Sequence, residues 1–284
     1  MKIAQLLEET SSQFAAAGIE SSQADAEILL GFVLNLSRGE VLAKAITGEE
    51  ITDADLAKFI ELANKRAERF PLQHLTGVAH FRSLELFVGP GVFVPRFETE
   101  GVAQLAIDAL RVLPKETPVA VDLATGSGAI ALSISHEVPN AEVHAVELSE
   151  EALEYTRRNF EKYAPSADLR QGDLADAFSD LEGLVDVVIS NPPYIPDEMI
   201  PIYPEVHLHD PALALYGGTD GLDLVRKVDL TAQRLLAKGG TLIIEHADMQ
   251  GEAIRNILEA SGWQQVRTHK DLAGRDRAVT ALKL

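Results

Sequence analysis

A four-residue run at the end of a predicted strand, Asn191-Pro192-Pro193-Tyr194, has the residue types needed for chemistry on a planar NH2 group. The preceding residues, 184–190, are mostly apolar and predict a buried β-strand. Proline has no N–H to donate, so the strand must end here. The Asn191 side-chain carbonyl and the Pro192 backbone carbonyl can accept hydrogen bonds from two N–H groups, and the prolines hold both acceptors rigidly. Tyr194 can pack its ring on a planar substrate group.

This corner is suited to methyl transfer. A nitrogen conjugated to a carbonyl or a ring is a poor nucleophile because its lone pair is delocalised. Two acceptors that grip its N–H bonds would orient the lone pair and favour the positive charge that develops on nitrogen. We therefore predict catalytic roles for Asn191, Pro192 and Tyr194, and substrate contacts along Asn191–Tyr194. The alternative interpretation is a proline-terminated strand with a packed tyrosine.

A glycine-containing loop joins an earlier strand to its helix and predicts a cofactor site. The loop consists of Ala124, Thr125, Gly126, Ser127 and Gly128. The two glycines allow a tight turn and close approach of a ligand, and Glu147, at the end of the next strand, can accept hydrogen bonds from both ribose hydroxyls. The spacing Gly126-x-Gly128-x-x-Ala131 also fits a dinucleotide-binding loop. Taken alone, the loop is equally compatible with a nicotinamide dehydrogenase and an S-adenosylmethionine enzyme, and the glycines could serve a turn only.

Strands and helices alternate from residue 98 onward, which predicts an α/β fold with a doubly wound, mostly parallel sheet. Helices are predicted at 98–112, 129–137, 149–162, 220–237 and 249–260. Strands are predicted at 118–123, 142–147, 167–171, 184–190, 240–246, 263–269 and 277–283. The last two strands have no helix between them, so one strand of the seven should be antiparallel. The pattern therefore predicts a seven-stranded Rossmann-like sheet with one antiparallel strand.

The first 72 residues predict a small helical bundle. One amphipathic helix covers residues 2–17, Ser21 or Ser22 begins a second, and Thr52 caps a third that Pro71 ends. The bundle has no cluster of titratable residues, so we expect a substrate-docking domain over 1–72. Residues 73–95 predict a β-hairpin linker, and 96–284 contain the predicted α/β sheet.

Composition excludes several function classes. The 284-residue chain has no cysteine, so disulfide and thiolate chemistry are excluded. Its formal net charge of −19 argues against binding duplex DNA, which requires lysine and arginine to neutralise phosphates. No apolar run reaches transmembrane length, and the N-terminus does not resemble a signal peptide. We expect a soluble cytoplasmic protein without a membrane partner.

With these motifs in place, the sequence closely resembles the protein-(glutamine-N5) methyltransferases that modify peptide chain release factors, the PrmC/HemK family. The segments that carry the resemblance are PLQHLTGVAHFRSLELFVGPGVFVPRFETE (71–100), VDLATGSGAIALSI (121–134), NPPYIP (191–196), HDPALALYGGTDGLD (209–223) and DLAGRDRAV (271–279). The NPPY motif alone is shared with adenine-N6 methyltransferases of DNA, whereas the linker and the GGTDGL segment are more specific.

The resemblance implies that residues 96–284 form a methyltransferase domain with a Rossmann-like class I methyltransferase sheet, preceded by the small helical bundle. It implies S-adenosylmethionine as methyl donor, with S-adenosylhomocysteine as product. It implies that the acceptor is the glutamine of a Gly-Gly-Gln motif in class I release factors, a modification that belongs to translation termination. Carried over by position, the cofactor contacts fall at 124–128, Glu147, Asp173, Leu174 and Asn191. The substrate contacts fall at Asn191–Tyr194, and no metal is implied.

The sequence departs from the family at four positions. The family usually has glycine at Ala124, aspartate at Glu147 and proline at Phe97, and some members have an aromatic residue where Leu174 offers an aliphatic wall for adenine. Glutamate keeps the carboxylate but adds a methylene. We expect Ala124 to avoid positive φ, or to lie where a methyl group fits.

Other functions and roles stay open at this point. A ribosomal-protein glutamine or a nucleic-acid adenine could be the acceptor, and a non-catalytic S-adenosylmethionine-binding module is the third alternative. Several charged residues have two interpretations each, a structural one and a position beside the site: Arg96, Glu98, Glu100, Glu245 and His246. We interpret His207 and His209 as loop histidines rather than metal ligands.

Overall fold

A computed structural model describes all 284 residues, and the chain divides into two compact units. The N-terminal unit contains Met1–Val78 together with a later segment, Pro201–His209. The second unit contains Ala79–Ile200 and Asp210–Leu284.

The chain forms twelve α-helices and nine strands. The helices are α1 Ile3–Ala16, α2 Ser22–Leu34, α3 Arg38–Thr47, α4 Asp53–Ala67, α5 Leu72–Thr76, α6 Thr99–Arg111, α7 Ala129–Glu137, α8 Glu150–Tyr163, α9 Pro204–His209, α10 Ala212–Leu215, α11 Asp223–Leu235 and α12 Gly251–Ala260. The strands are β1 Val78–Phe81, β2 Leu84–Phe87, β3 Val119–Leu123, β4 Glu142–Glu147, β5 Asp168–Gln171, β6 Val185–Ser190, β7 Leu236–Glu245, β8 Gln264–Lys270 and β9 Asp276–Leu282. None of the helices combines the length and apolar character needed to cross a bilayer.

Side-chain caps explain where two of the N-terminal helices, α3 and α4, begin. The Thr52 hydroxyl accepts a hydrogen bond from the Asp55 N–H and caps α4, as predicted. Helix α3 was not predicted, although Ser37 and Glu40 form a capping box before it. The prediction that Pro71 ends α4 is wrong. The helix ends at Ala67 and the chain turns at Arg69, whose φ is 71°.

A buried ion-pair cluster explains why Pro201–His209 belongs to the N-terminal unit. Glu205 on α9 accepts from Arg66 Nη1 at 2.8 Å and from Arg69 Nη2 at 2.6 Å. Arg66 Nε also donates to Asp25 Oδ2 at 2.8 Å. Burial opposes ionisation of Glu205, but its hydrogen bonds to the two arginines hold its pKa down at about 2. The cluster anchors a segment that is more than 130 residues away from the helices along the chain.

The second unit contains the predicted α/β sheet, so the fold class is confirmed. Its strand order is β5-β4-β3-β6-β7-β9-β8. Strand β9 is antiparallel to both of its neighbours, and the other pairings are parallel. Strands β1 and β2 form a separate two-stranded sheet.

Two apolar clusters cover the two faces of the large sheet. One contains Val102, Ile107 and Leu110 from α6 with the buried residues of α7 and Phe160. The other contains the buried residues of α11 and α12, with Val121 and Ile244 from the sheet. Because both faces are buried, the central strands β3 and β6 are mostly apolar.

Candidate active site

The glycine loop and the Asn-Pro-Pro-Tyr corner leave adjacent strands at the same edge of the sheet. Leu123 at the end of β3 pairs with Ser190 at the end of β6. The Ser190 hydroxyl donates a 2.6 Å hydrogen bond to the Leu123 carbonyl. The strand order reverses between β3 and β6, and ligands of doubly wound sheets bind at such switch points.

The two loop glycines have different roles. A Cβ on Gly126, whose φ is +57°, would meet no atom within 4 Å, so this residue faces open space. A Cβ on Gly128, whose φ is +86°, would lie 2.9 Å from the Phe160 ring. Gly128 is therefore required by packing, whereas Gly126 leaves a place where a ligand can approach the backbone.

Asp122, near the end of β3, holds the glycine loop in place, a role that was not predicted. Its Oδ2 accepts from Thr125 Oγ1 at 2.6 Å and from Ala131 N at 3.2 Å, which ties the loop to α7. Its Oδ1 is buried without a partner. Burial raises the pKa of Asp122 to about 7. A carboxylate in an otherwise apolar strand was the sequence signal that could have found it.

Glu147 already organises the loop that it was predicted to serve. Its Oε2 accepts from Gly126 N and its Oε1 from Ser149 N, both at 2.8 Å. The residue is 8% exposed, and burial raises its pKa while the backbone N–H groups oppose that shift. Each carboxylate oxygen keeps a second lone pair. The carboxylate is thus held in place with acceptor capacity left for two hydroxyl groups.

Ala124 has a φ of 61°, so the first alternative, that it avoids positive φ, is wrong. The second alternative applies, since Ala124 packs half-buried against the apolar cluster of the sheet. A residue with a Cβ pays about 1–2 kcal/mol in this left-handed region. The first position of the cofactor loop is therefore strained in this chain.

Replacing Ala124 with glycine should stabilise the protein by about 0.5–1 kcal/mol, because relief of strain exceeds the extra backbone entropy that glycine loses on folding. Urea unfolding of the variant measures the change. The matched control is Ala43→Gly on the exposed face of α3, which should destabilise by about 0.5–1 kcal/mol. Equal destabilisation by both variants would contradict the strain at Ala124.

Asp173 and Leu174 follow β5, beyond β4 at the edge of the sheet. Asp173 Oδ1 accepts from Ala175 N at 2.9 Å, and Oδ2 lies 3.4 Å from Lys227 Nζ. Leu174 is buried beside Val146 and Phe178. Their contact with a cofactor stays a prediction.

The two acceptors predicted in the corner are both available. Neither the Asn191 Oδ1 atom nor the Pro192 carbonyl oxygen accepts a hydrogen bond within the protein. The other end of the Asn191 amide is held, since its Nδ2 donates to Thr99 Oγ1 at 3.4 Å. Both atoms are therefore free to accept from an NH2 group, and their role in catalysis stays a prediction.

The GGTDGL segment (217–222) packs against the backbone of this corner. A Cβ on Gly217 would lie 2.5 Å from the Pro193 carbonyl oxygen, and one on Gly221 would lie 2.3 Å from that of Tyr194. The Tyr194 carbonyl also accepts from Gln250 Nε2 at 2.8 Å. These close contacts fix the backbone of the corner and explain the glycines.

The charged residues that precede or begin α6 form ion pairs or hydrogen bonds within the protein, which supports their structural interpretation. Glu98 pairs with Arg275 at 3.1 Å, and Glu100 accepts from Arg82 N at 2.9 Å. Arg96 pairs with Asp210, and burial raises the pKa of that aspartate to about 6. The acids stand at the beginning of α6, as helix-end electrostatics favour.

The histidines show no metal-binding arrangement. His207 and His209 lie on the short helix α9, so the loop assignment is wrong, and His209 stacks on Phe70 with ring centroids 4.1 Å apart. His246 is buried, with Nδ1 2.7 Å from the Ala247 carbonyl. No group of three or more histidine, aspartate or glutamate side chains is positioned to hold a metal ion.

Two family models match segments of this chain, one in each unit. Residues 5–77 match the family described as PrmC N-terminal domain, and residues 84–200 match the methyltransferase small domain. The chain is 50% identical to a release factor glutamine methyltransferase of Streptomyces coelicolor, over 97% of this chain and 96% of that protein. It is 43% identical to the protein of the same name from Bifidobacterium longum, over 99% of this chain and 100% of that protein.

Among solved structures, a methyltransferase from Pyrococcus furiosus has the same fold. It aligns with a TM-score of 0.50 and 22% identity, over 71% of this chain and 90% of that one. This similarity supports a methyltransferase-type fold for the sheet.

Proposed function

The chain belongs to the release factor glutamine methyltransferase family, and we propose that it methylates the glutamine side-chain amide of the Gly-Gly-Gln motif in class I peptide chain release factors. One observation carries this proposal. Asn191 Oδ1 and the Pro192 carbonyl oxygen are both unoccupied acceptors at a rigid corner beside the glycine loop. Together they match the two N–H bonds of a primary amide.

We propose that the glycine loop holds S-adenosylmethionine. The open space at Gly126 and the remaining acceptor capacity of Glu147 fit a nucleoside with two ribose hydroxyls. Residues 124–128, Glu147, Asp173, Leu174 and Asn191 would hold it. When bound, this cofactor supplies a methyl group that leaves its sulfur as the new bond to nitrogen forms, giving S-adenosylhomocysteine.

The residues of the corner act on the substrate amide. Its two N–H groups donate to Asn191 Oδ1 and to the Pro192 carbonyl, so the nitrogen lone pair faces away from both acceptors. As the nitrogen gains a bond, it becomes positively charged and its N–H groups donate more strongly to these acceptors. Loss of one of these protons to solvent gives the neutral methylated amide. Tyr194 lines the site beside the planar group.

Alternative acceptors are less well supported. A ribosomal-protein glutamine would present the same amide to the corner, but the relatives at 50% and 43% identity are named for release factors. The net charge of −19 disfavours a nucleic acid. A cytoplasmic location follows from the proposed substrate, because translation termination takes place there.

Transfer of labelled methyl groups from S-adenosylmethionine tests the substrate class. We expect label on a purified class I release factor and none on the same factor with alanine in place of the Gly-Gly-Gln glutamine. Ribosomal proteins and adenine-containing DNA serve as the competing acceptors. Preferential labelling of either one would contradict the release-factor assignment.

We further propose that the N-terminal helical unit docks the folded substrate. It is well packed around Phe14, Leu30 and Phe59. The charged residues of its Asp25–Arg66–Glu205 cluster pair with one another, which leaves the helical surface for docking. With the full-length enzyme, kcat/KM for an intact release factor should exceed that for a Gly-Gly-Gln peptide by about tenfold or more, equivalent to at least about 1.4 kcal/mol of docking. Equal values would mean that the unit supports folding only.

A further inference from the structure

A buried hydrogen-bonded chain connects the catalytic corner to an acidic residue that has no assigned role. Asn191 Nδ2 is 3.4 Å from Thr99 Oγ1, and Thr99 Oγ1 is 3.1 Å from Glu245 Oε1. Thr99 is the first residue of α6 and Glu245 the last residue of β7. They are 3% and 2% exposed, so solvent does not compete for these contacts.

The direction of each hydrogen bond follows from the hydrogens available. An ionised carboxylate cannot donate, so the single hydroxyl hydrogen of Thr99 must point to Glu245. The Thr99 oxygen can then only accept from Asn191. The Asn191 amide must therefore turn its NH2 toward Thr99, which leaves its oxygen for the substrate.

Protonation of Glu245 would remove this constraint. A protonated Glu245 can donate to Thr99 Oγ1, which releases the Thr99 hydrogen to donate to Asn191. The Asn191 amide is then also stable with its oxygen toward Thr99 and its NH2 toward the substrate NH2. Two donors would face each other, and the grip on the substrate would be lost.

We propose that Glu245 is a positioning residue which, through Thr99, keeps the Asn191 carbonyl oxygen directed at the substrate amide. This role rests on the proposed function, because it presumes that Asn191 accepts from an NH2 group. The Tyr194 hydroxyl lies close enough to the carboxyl group to lower its pKa, although no donor meets Oε2 with strict hydrogen-bond geometry. A fully buried carboxylate is costly to keep for packing alone.

The surroundings of Glu245 put its ionisation in the physiological range. Burial raises its pKa to about 7, against the hydroxyl of Thr99 and the charge of Arg277. The charged or titratable groups around it are Glu98 from α6, Tyr194 from the corner, Arg277 from β9 and the adjacent His246. Glu98 raises the pKa of Glu245, and burial lowers that of His246, which favours the neutral imidazole.

Single-turnover methyl transfer to a release factor at pH 6–8.5, with cofactor saturating, tests the role. The ionised form is the productive one, and the protonated form should keep about a tenth of its rate, as expected for the loss of one hydrogen bond. With a pKa of about 7, the wild-type rate should therefore fall about fivefold from pH 8 to pH 6. Glu245→Gln should be about tenfold slower than wild type at pH 8, the fold-change that corresponds to one hydrogen bond. The Glu245→Gln variant should also lack the decrease in methyl-transfer rate between pH 8 and pH 6 that Glu245 causes.

Two Thr99 variants separate positioning from packing. Thr99→Val keeps the shape of the side chain but removes the hydroxyl that links Asn191 to Glu245. Its methyl transfer should therefore be slow, and its rate should lack the decrease with falling pH that depends on Glu245. Thr99→Ser restores the hydroxyl and should recover both the rate and the pH dependence. Asp122 and Asp210 can also titrate in this range, so the comparison among variants, rather than the wild-type curve alone, carries the test.

Stability provides the folding control. The folded-state pKa of Glu245, about 7, lies above the ordinary pKa of a glutamate side chain, 4.5. The folded state therefore binds more protons between these values, and this residue's contribution to stability decreases as pH rises through that interval. Glu245→Gln removes that contribution, so its fold should survive at pH 8.

The outcomes distinguish the two proposals. If wild-type protein methylates the release factor and Glu245→Gln keeps both the full rate and the wild-type pH dependence, the positioning role is wrong and the function stands. If wild-type protein methylates no release factor at any pH, the proposed function fails, and the positioning role fails with it.

Discussion

Replacing Asn191 with alanine is expected to slow methyl transfer roughly thirtyfold to a thousandfold, an increase of about 2–4 kcal/mol in the barrier. The alanine removes one of the two acceptors that grip the substrate amide. Because the grip strengthens as charge develops on nitrogen, the loss should fall mainly in kcat rather than in KM. Single-turnover rates with saturating cofactor measure it directly.

Asn191→Asp is the matched control. It keeps an acceptor oxygen, so it should retain more activity than the alanine variant. It should still be slower than wild type, because it loses the NH2 that donates to Thr99 Oγ1 and adds a charge near the buried carboxyl of Glu245. Equal rates for wild type and Asn191→Ala would mean that Asn191 only ends the strand and has no role in catalysis.

Replacing Glu147 with alanine is expected to weaken cofactor binding about tenfold to a hundredfold, equivalent to about 1.5–3 kcal/mol for a charged hydrogen-bonding site. The structure adds a second reason for the loss, since Glu147 also accepts from the Gly126 N–H that shapes the loop. Calorimetric titration with S-adenosylhomocysteine gives the dissociation constant.

Glu147→Asp controls for the carboxylate itself, because it keeps the charge with a shorter reach. Its loss of affinity should be smaller than that of the alanine variant. Unchanged affinity in Glu147→Ala would remove this residue from the cofactor site. Tight binding of a nicotinamide cofactor by the wild type would contradict the assignment of S-adenosylmethionine.

Local sequence signals were enough to predict most of the helices and strands of the second unit. Apolar runs predicted strands such as β3 and β6 to within one or two residues, because these strands are buried on both faces. Asn191 and Pro192 could be recognised because a proline-terminated strand with an amide is unusual. Helix α3 was missed, although Ser37 and Glu40 carry a legible capping signal.

Other features depend on contacts between distant parts of the chain. Glu245 and Thr99 are 146 positions apart, and only the strand order brings the end of β7 beside the start of α6. Glu205 joins the N-terminal helices through Arg66 and Arg69, a pairing that no local pattern encodes. The positive φ of Ala124 depends on the loop that surrounds it, against the local preference of alanine.

The most direct test of the central claim is to locate the transferred methyl group. The enzyme is incubated with a class I release factor and S-adenosylmethionine carrying a deuterated methyl group, and the peptides are sequenced by tandem mass spectrometry. The account predicts one deuterated methyl on the side-chain nitrogen of the Gly-Gly-Gln glutamine. A label on any other residue, or no label while the cofactor is bound, would contradict it.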